Sequence, residues 1–142
     1  MLLKRIKFLS IFLIAGIIFG SLTPSVFAAY TSSNWSSGYG TKGFASLDDS
    51  SPMTAGALVQ TTNGSSLDVG YLGAKPILYK NGVVVRQGSY TYNKSVSSYA
   101  NASMTINSGS GDYQTEAIFA VWQSGTSKYE YYGSSKTPII QH

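Results

Sequence analysis

The chain has 142 residues, a formal net charge of +4, no cysteine and one histidine. This composition excludes disulfides, a cysteine nucleophile and the usual zinc ligand sets. Three of the ten cationic residues lie within the first seven residues. The other seven are dispersed along the rest of the chain together with all six acidic residues, so the net charge of that remainder is +1. Such a distribution argues against a nucleic-acid partner, because tracking phosphates requires clustered cations.

The N-terminal segment has the order of a secretory leader. Three cations precede an apolar run over residues 8–22, which ends before Pro24. Small residues follow, and we expect cleavage after Ala28, with Ala29 as the alternative. At 15 residues the run is shorter than the about 20 that a membrane-spanning helix needs. The sequence therefore predicts a signal peptide over residues 1–28 and a secreted, extracellular protein that meets the membrane only before cleavage.

The rest of the chain has the composition of strands and turns. Ser, Thr, Gly, Tyr and Val dominate, and no stretch shows a helical apolar period. Large aliphatic residues are few, so we expect the eleven tyrosines to supply much of the core. Residues 29–54 are rich in Ser and Gly and predict a lead-in that could carry edge strands, while 55–142 predict the folded core. The absence of cysteine in an exported chain is more typical of a bacterial source.

Turn dipeptides divide the core into about seven strands. Asn63-Gly64 predicts a hairpin between residues 55–62 and 66–72, and Asn81-Gly82 gives the strongest hairpin signal. The remaining predicted strands are residues 77–80 and 83–86 around Asn81-Gly82, then 100–106, 113–123 and 128–133. Residues 89–92 continue or re-pair the arm before them, and residues 137–140 close the domain.

This pattern predicts an all-β protein, a single small antiparallel β-sandwich. Residues 100–106 alternate between apolar and polar, which indicates one buried face. Residues 117–122 are apolar on both faces, which places the strand at 113–123 in the centre of a sheet. An immunoglobulin-like Greek key is one arrangement of these strands, and a small barrel is the alternative.

A loop leads a tyrosine into this central strand at Gly111-Asp112-Tyr113. The motif resembles the tyrosine corner that opens strand F of immunoglobulin-like sandwiches. The cysteine that follows in true immunoglobulin domains is absent here. The resemblance therefore implies the geometry of the corner and nothing about function.

A second set of short motifs lies between residues 70 and 138. They are Gly70-Tyr71-Leu72-Gly73-Ala74, Leu78-Tyr79-Lys80-Asn81-Gly82-Val83-Val84, Tyr92-Asn93, Gly111-Asp112-Tyr113 and Thr137-Pro138. This pattern, which covers about half of the chain, resembles small exported proteins of uncharacterised function from Gram-positive bacteria. The resemblance implies an exported β domain and brings no activity or catalytic residue.

Catalytic sets are difficult to build from these residues, and we predict a non-enzymatic protein. The one histidine is His142, so a Ser–His arrangement would need the end of the chain docked into a cleft. Glu116 and Glu130 lie on strands that we expect to pair through a turn at Gly125, and they are the candidate carboxylate pair of a hydrolase. The simpler interpretation is a surface salt bridge with Lys128.

The sequence also offers few candidate residues for a metal or cofactor site. Asp48-Asp49, flanked by serines, is a weak calcium candidate. We favour a solvated turn in which these carboxylates cap backbone N–H groups. No cofactor is expected.

Aromatic residues are the strongest functional signal. Tyr129, Tyr131 and Tyr132 lie on one predicted strand beside Trp122 on its partner, and Trp35 lies in the early segment. By the two-residue period of a strand, Tyr129 and Tyr131 share one face and Tyr132 takes the other. One face should pack in the core, while the other could present rings that stack on sugars or peptidic wall material. All five are candidate ligand-binding residues, and the competing interpretation is that they serve the core.

The sequence thus predicts a secreted, non-enzymatic binding or structural module. Its expected partner is a cell-wall or matrix polymer, in particular a polysaccharide, or another secreted protein. The alternative is a small antimicrobial or membrane-active protein, which the net charge of +1 disfavours because each nearby cation adds attraction to anionic lipid. A carboxylate-based hydrolase is a third, weaker hypothesis.

Overall fold

Ten β-strands in two antiparallel sheets form the part of the chain that the computed structural model describes, residues 28–35 and 39–142. The predicted leader lies outside these residues except for Ala28. Within the described ranges no helix is long and apolar enough to cross a membrane. The strands are β1 Ala28–Trp35, β2 Thr41–Asp48, β3 Met53–Thr61, β4 Leu72–Lys80, β5 Val83–Gln87, β6 Thr91–Tyr92, β7 Tyr99–Ile106, β8 Asp112–Gln123, β9 Lys128–Gly133 and β10 Ile140–Gln141.

The strands form a small antiparallel β-sandwich, as the sequence predicted. The first sheet has the order β1-β2-β3-β7. In the second sheet β8 pairs with β4 on one side and with β9 and β10 on the other, and the far edge of β4 pairs with β5 and β6. β3 pairs with β7 in the first sheet and β4 pairs with β8 in the second, so strands that are distant in the sequence are neighbours in both sheets. At the entry to β8 the Tyr113 hydroxyl donates to the Gly109 carbonyl at 2.7 Å and so closes the loop before this strand.

The core between the sheets consists largely of alanine and aliphatic side chains. Of the eleven tyrosines, all of which are described, Tyr113 alone is fully buried. The expectation of a tyrosine-rich core was therefore wrong. The ring of Phe119 fills the space over Gly43, where any side chain would collide with it. Many small residues on the facing strands let the two sheets approach closely, so few large side chains are needed.

The segment predicted as a lead-in is part of the sandwich. β1 and β2 pair along their whole length, and Ala45 and Leu47 of β2 are completely buried. The boundary placed between residues 54 and 55 does not separate two parts of the fold. Every second residue of β2 faces the core, but the inward-facing positions include small residues such as Gly43 and Ala45. Their low hydrophobicity is typical of a loop, so the alternation of a strand was not recognised in the sequence.

The two hairpins predicted at Asn-Gly turns had different outcomes. Asn81 and Gly82 have positive φ angles of 50° and 79° and join β4 to β5, as predicted. The prediction of a hairpin at Asn63-Gly64 was wrong. β2 and β7 pair with the two edges of β3, so the segment after this turn has no edge of β3 to pair with. The chain instead crosses to the second sheet, and residues 66–71 contain a single isolated bridge, from Leu67 to Ser97.

Candidate functional site

Three aromatic side chains that the sequence singled out lie together on the outer face of the second sheet. In β8 the odd-numbered residues from 113 to 121 face the core, so Trp122 faces outward. Trp122 lies opposite Tyr129 of β9, and Ala120 lies opposite Tyr131. The prediction that Tyr129 and Tyr131 share one face is confirmed, and the face they share is the exposed one.

Tyr132 lies on the opposite face of β9 and does not join this group. Its ring centroid is 5.0 Å from that of Phe119, and its hydroxyl shares a hydrogen bond of 3.0 Å with the Thr41 hydroxyl. Burial raises the pKa of Tyr132 to about 12, and the hydrogen bond with Thr41 opposes this shift. Trp35, another predicted site residue, has its backbone in β1 of the other sheet, opposite Thr41, and its side chain lies outside the described atoms.

Four further tyrosines, which the sequence did not indicate as site residues, extend the exposed group. Tyr92 of β6 pairs with Gly73 of β4, which pairs in turn with Ala120. Tyr92 and Tyr131 therefore flank a strip of two small residues. We call the complete set the aromatic face: Tyr39, Tyr71, Tyr90, Tyr92, Trp122, Tyr129 and Tyr131.

The rings of the aromatic face form one continuous surface. The centroids of Trp122 and Tyr129 are 5.0 Å apart, and those of Tyr92 and Tyr129 are 5.3 Å apart. Tyr90 is 5.9 Å from both Tyr92 and Tyr131 and is stacked on Tyr92 at an interplanar angle of 29°. These separations lie within the range of favourable ring–ring contacts, roughly 4.5–7 Å. The rings therefore support one another in place.

Hydrogen bonds hold several of the hydroxyl groups. Tyr129 donates to the Gly70 carbonyl at 2.5 Å. At the end of the face Tyr39 and Ser124 share a hydrogen bond of 2.8 Å, and Ser124 donates to the Tyr71 hydroxyl at 3.3 Å. The side chains are thus ordered before any ligand arrives, which reduces the entropy cost of binding.

Three tyrosines of the aromatic face keep their protons more firmly than free tyrosine. Burial is the main cause that raises the pKa of Tyr90, Tyr92 and Tyr129 above 10.0, and the neighbouring Tyr131 adds to each shift. Their hydroxyls are therefore neutral at physiological pH and can both donate and accept hydrogen bonds. Tyr131 is the most prominent member, with 57% of its surface exposed.

Asn93 fixes the loop that carries one end of the aromatic face. Its side chain is nearly buried, accepts from the Leu72 N–H at 2.9 Å and donates to the carbonyls of Asp68 and Ser95 at 2.8 and 2.9 Å. These bonds tie the loop before β4 to the segment after β6. The loop contains Gly70, whose carbonyl accepts the hydrogen bond from the Tyr129 hydroxyl.

The other end of the same sheet face carries charged groups. Tyr79 donates to Glu116 at 2.5 Å, and this hydrogen bond is the main cause that raises the pKa of Tyr79 to about 12. The Lys136 ammonium lies 3.7 Å from the centroid of the Tyr79 ring. The Lys75 ammonium lies 5.7 Å from the centroid of the Tyr90 ring, at the border of the aromatic face.

The structure does not support the predicted carboxylate pair. Glu130 lies opposite Val121, whose side chain faces the core, whereas Glu116 is on the outward-facing set of β8. The two carboxylates therefore point to opposite sides of the sheet. Lys128 shares the face of Glu130 and is directed away from Glu116 by the same alternation. Glu116 and Glu130 cannot form the two-carboxylate site of a hydrolase.

The aspartates that were a weak calcium candidate have protein partners. Asp48 accepts from the Ser50 N–H at 3.0 Å, which is the capping role favoured above. Asp49 contacts the imidazole Nδ1 of His142 at 2.5 Å, and the backbone of His142 exchanges two hydrogen bonds with Gly111. Across residues 28–35 and 39–142, no group of three or more His, Asp or Glu side chains could hold a metal ion.

Comparison with known protein families, with curated proteins and with solved structures finds no match to this chain. In the described part of the molecule, the aromatic face is the feature whose chemistry points most directly to a ligand.

Proposed function

We propose that this protein is a secreted, non-enzymatic binding module whose aromatic face stacks on the sugar rings of a cell-wall or matrix polysaccharide. The observation that carries the proposal is the position of seven contacting aromatic rings on the outside of the sandwich. Alanine and aliphatic side chains fill most of the core, and of the seven rings only that of Tyr39 packs partly against it. The core does not need the other six.

The shape of the aromatic face suits an extended polymer. Tyr131, Ala120, Gly73 and Tyr92 lie side by side on four neighbouring strands. With about 4.8 Å between strands, this row spans roughly 15 Å. A surface of that length accommodates several consecutive sugar units, whose apolar ring faces can lie against aromatic rings while their hydroxyls meet the tyrosine hydroxyls.

The chemistry of tyrosine supports the same ligand class. Each ring offers apolar area together with a hydroxyl that donates and accepts, and sugars present the same combination of C–H and O–H groups. Because the rings are ordered by mutual contacts and by hydrogen bonds, binding costs little side-chain entropy. The fold contributes rigidity, since β8 is paired on both edges.

Sedimentation with insoluble polymers tests the proposal. The purified protein is mixed with bacterial cell walls, chitin or cellulose, and its depletion from the supernatant is followed by tryptophan fluorescence. We expect depletion by at least one polymer, and loss of that depletion in Tyr131→Ala and Trp122→Ala. The control is Tyr30→Ala, which removes a tyrosine that is 72% exposed on β1 of the other sheet.

Two results would overturn the proposal. The first is an absence of depletion with every polymer. The second is a depletion that Tyr131→Ala and Trp122→Ala leave unchanged while circular dichroism shows both variants to be folded. Release of dye from anionic liposomes by the same protein would instead support a membrane-active role.

A further inference from the structure

Lysine ammonium groups outnumber carboxylates beside the aromatic face. Lys75 projects from β4 opposite Ile118, in the row next to Gly73 and Ala120. No carboxylate of the described residues forms an ion pair with it, since the one ion pair among them joins His142 to Asp49. The nearest aromatic partner of its ammonium is the ring of Tyr90, at 5.7 Å.

A second cation lies farther along the same sheet face. Lys136 is placed over the ring of Tyr79, and Tyr79 lies four residues after Lys75 on β4, roughly 13 Å away along the strand. The carboxylate on this part of the face is Glu116, which already accepts the Tyr79 hydroxyl. The face therefore presents two ammonium groups to a ligand and one carboxylate that is engaged within the protein.

We infer that the polymer bound on the aromatic face is acidic, and that Lys75 pairs with the carboxylate or phosphate groups of the polymer. This inference rests on the proposed function. A sugar that lies against the aromatic face beside Tyr90 and Tyr92 brings its substituents near the Lys75 ammonium, because that ammonium lies over the Tyr90 ring, 5.7 Å from its centroid. A lysine is a compact charge on a flexible stem and accepts either anion without demanding a fixed geometry.

The test compares one polymer in charged and neutral forms. Polygalacturonate on beads carries a carboxylate on every sugar, and its fully methyl-esterified form keeps the same sugar backbone without the charge. We expect the purified protein to bind the acid more tightly than the ester, and added salt to weaken binding to the acid alone. Cell walls before and after acid extraction of their phosphate-containing polymers form the second arm, which distinguishes phosphate from carboxylate as the source of charge.

Variants identify the residue responsible. Lys75→Gln should weaken binding to the acidic polymer by about fivefold, the effect of one solvent-exposed ion pair, and should leave binding to the neutral form unchanged. Lys75→Arg should retain binding. The matched control is Lys42→Gln, because the Lys42 ammonium also lies near an aromatic ring, that of Phe44, at 5.1 Å on the other sheet.

The outcomes separate this inference from the proposed function. The inference of an acidic ligand would be overturned by equal binding to the charged and neutral forms, or by unchanged binding of Lys75→Gln to the charged form. Either result would leave the proposal of stacking on the aromatic face intact. Binding to no polymer in either arm would overturn both. Selective binding to the acidic polygalacturonate or to unextracted walls, reduced by Lys75→Gln, is the result that the inference predicts.

Discussion

The ring of Tyr92 lies over Gly73, so closely that a Cβ atom on Gly73 would be 2.6 Å from the Tyr92 Cε1 atom. The two residues are direct partners across β6 and β4. Ala120, the partner of Gly73 on its other side, also has a small side chain. Absence of a side chain at Gly73 thus allows the Tyr92 ring to lie against the sheet, and the aromatic face owes its shape to this position.

Gly73→Ala should therefore damage the aromatic face while preserving the sandwich. The added methyl group must push the Tyr92 ring outward, which separates it from Tyr129. We expect a clear loss of polymer binding and a smaller loss of stability, about 1–3 kcal/mol, in urea unfolding. Gly125→Ala is the control, since no atom lies within 4 Å of the position of its Cβ. Full binding by Gly73→Ala would show that the placement of Tyr92 is unimportant.

Asn93→Ala should be among the most destabilising substitutions on this side of the molecule. It removes the acceptor of the Leu72 N–H and the donor to two carbonyls in a nearly buried position. Leaving such groups unpaired should lower the free energy of unfolding by about 2–4 kcal/mol. Asn101→Ala, at an exposed position of β7, should change it little. A similar result for the two variants in urea unfolding would contradict this role of Asn93.

Tyr113→Phe tests the corner at the start of β8. The substitution keeps the buried ring and removes the hydroxyl that donates to Gly109 at 2.7 Å. We expect a loss of about 1 kcal/mol in the free energy of unfolding, because one intramolecular hydrogen bond is removed and a carbonyl loses its partner. Polymer binding should not change, since Tyr113 faces the core. Unchanged stability would mean that the bond adds nothing to the fold.

The half-buried Tyr132 predicts a dependence of stability on alkaline pH. Its pKa is about 12 in the folded protein and 10.0 ordinarily, so the unfolded chain ionises first. The stability that depends on its neutral form is fully present below pH 10 and declines as the pH rises through 12. Tyr132→Phe should destabilise the protein near neutral pH, because Thr41 loses a partner, and the difference from the natural chain should shrink between pH 10 and 12. A difference that stays constant in denaturation curves across this range would refute the assignment.

The sequence predicted those features that depend on neighbouring residues. Asn81-Gly82 specified its hairpin because both positions adopt positive φ angles. The alternation along β9 separated Tyr131 from Tyr132 correctly, since a strand reverses its side chains at every residue. Asn63-Gly64 also forms a local turn, with the Ser65 N–H bonded to the Asn63 side chain, but the next strand joins the other sheet.

Features that depend on distant residues could not be predicted. β6 contains two residues, and its pairing with β4 brings Tyr92 to Gly73 across 19 positions of the chain. No local pattern marks that register, so Tyr90 and Tyr92 were not recognised as site residues. The use of Phe119 to fill the space over Gly43 also depends on how the two sheets face each other. For this reason the tyrosines were assigned to the core when most of them lie outside it.

The measurement that tests the central claim most directly is the fluorescence of Trp122 during titration with soluble fragments of a polymer that depletes the protein. The chain has two tryptophans, so Trp35→Phe leaves Trp122 as the single reporter. A sugar stacked on the aromatic face should change the Trp122 emission in a saturable manner, and Tyr131→Ala should abolish the change while Tyr30→Ala preserves it. Binding that leaves the Trp122 emission unchanged would place the ligand elsewhere and contradict the account.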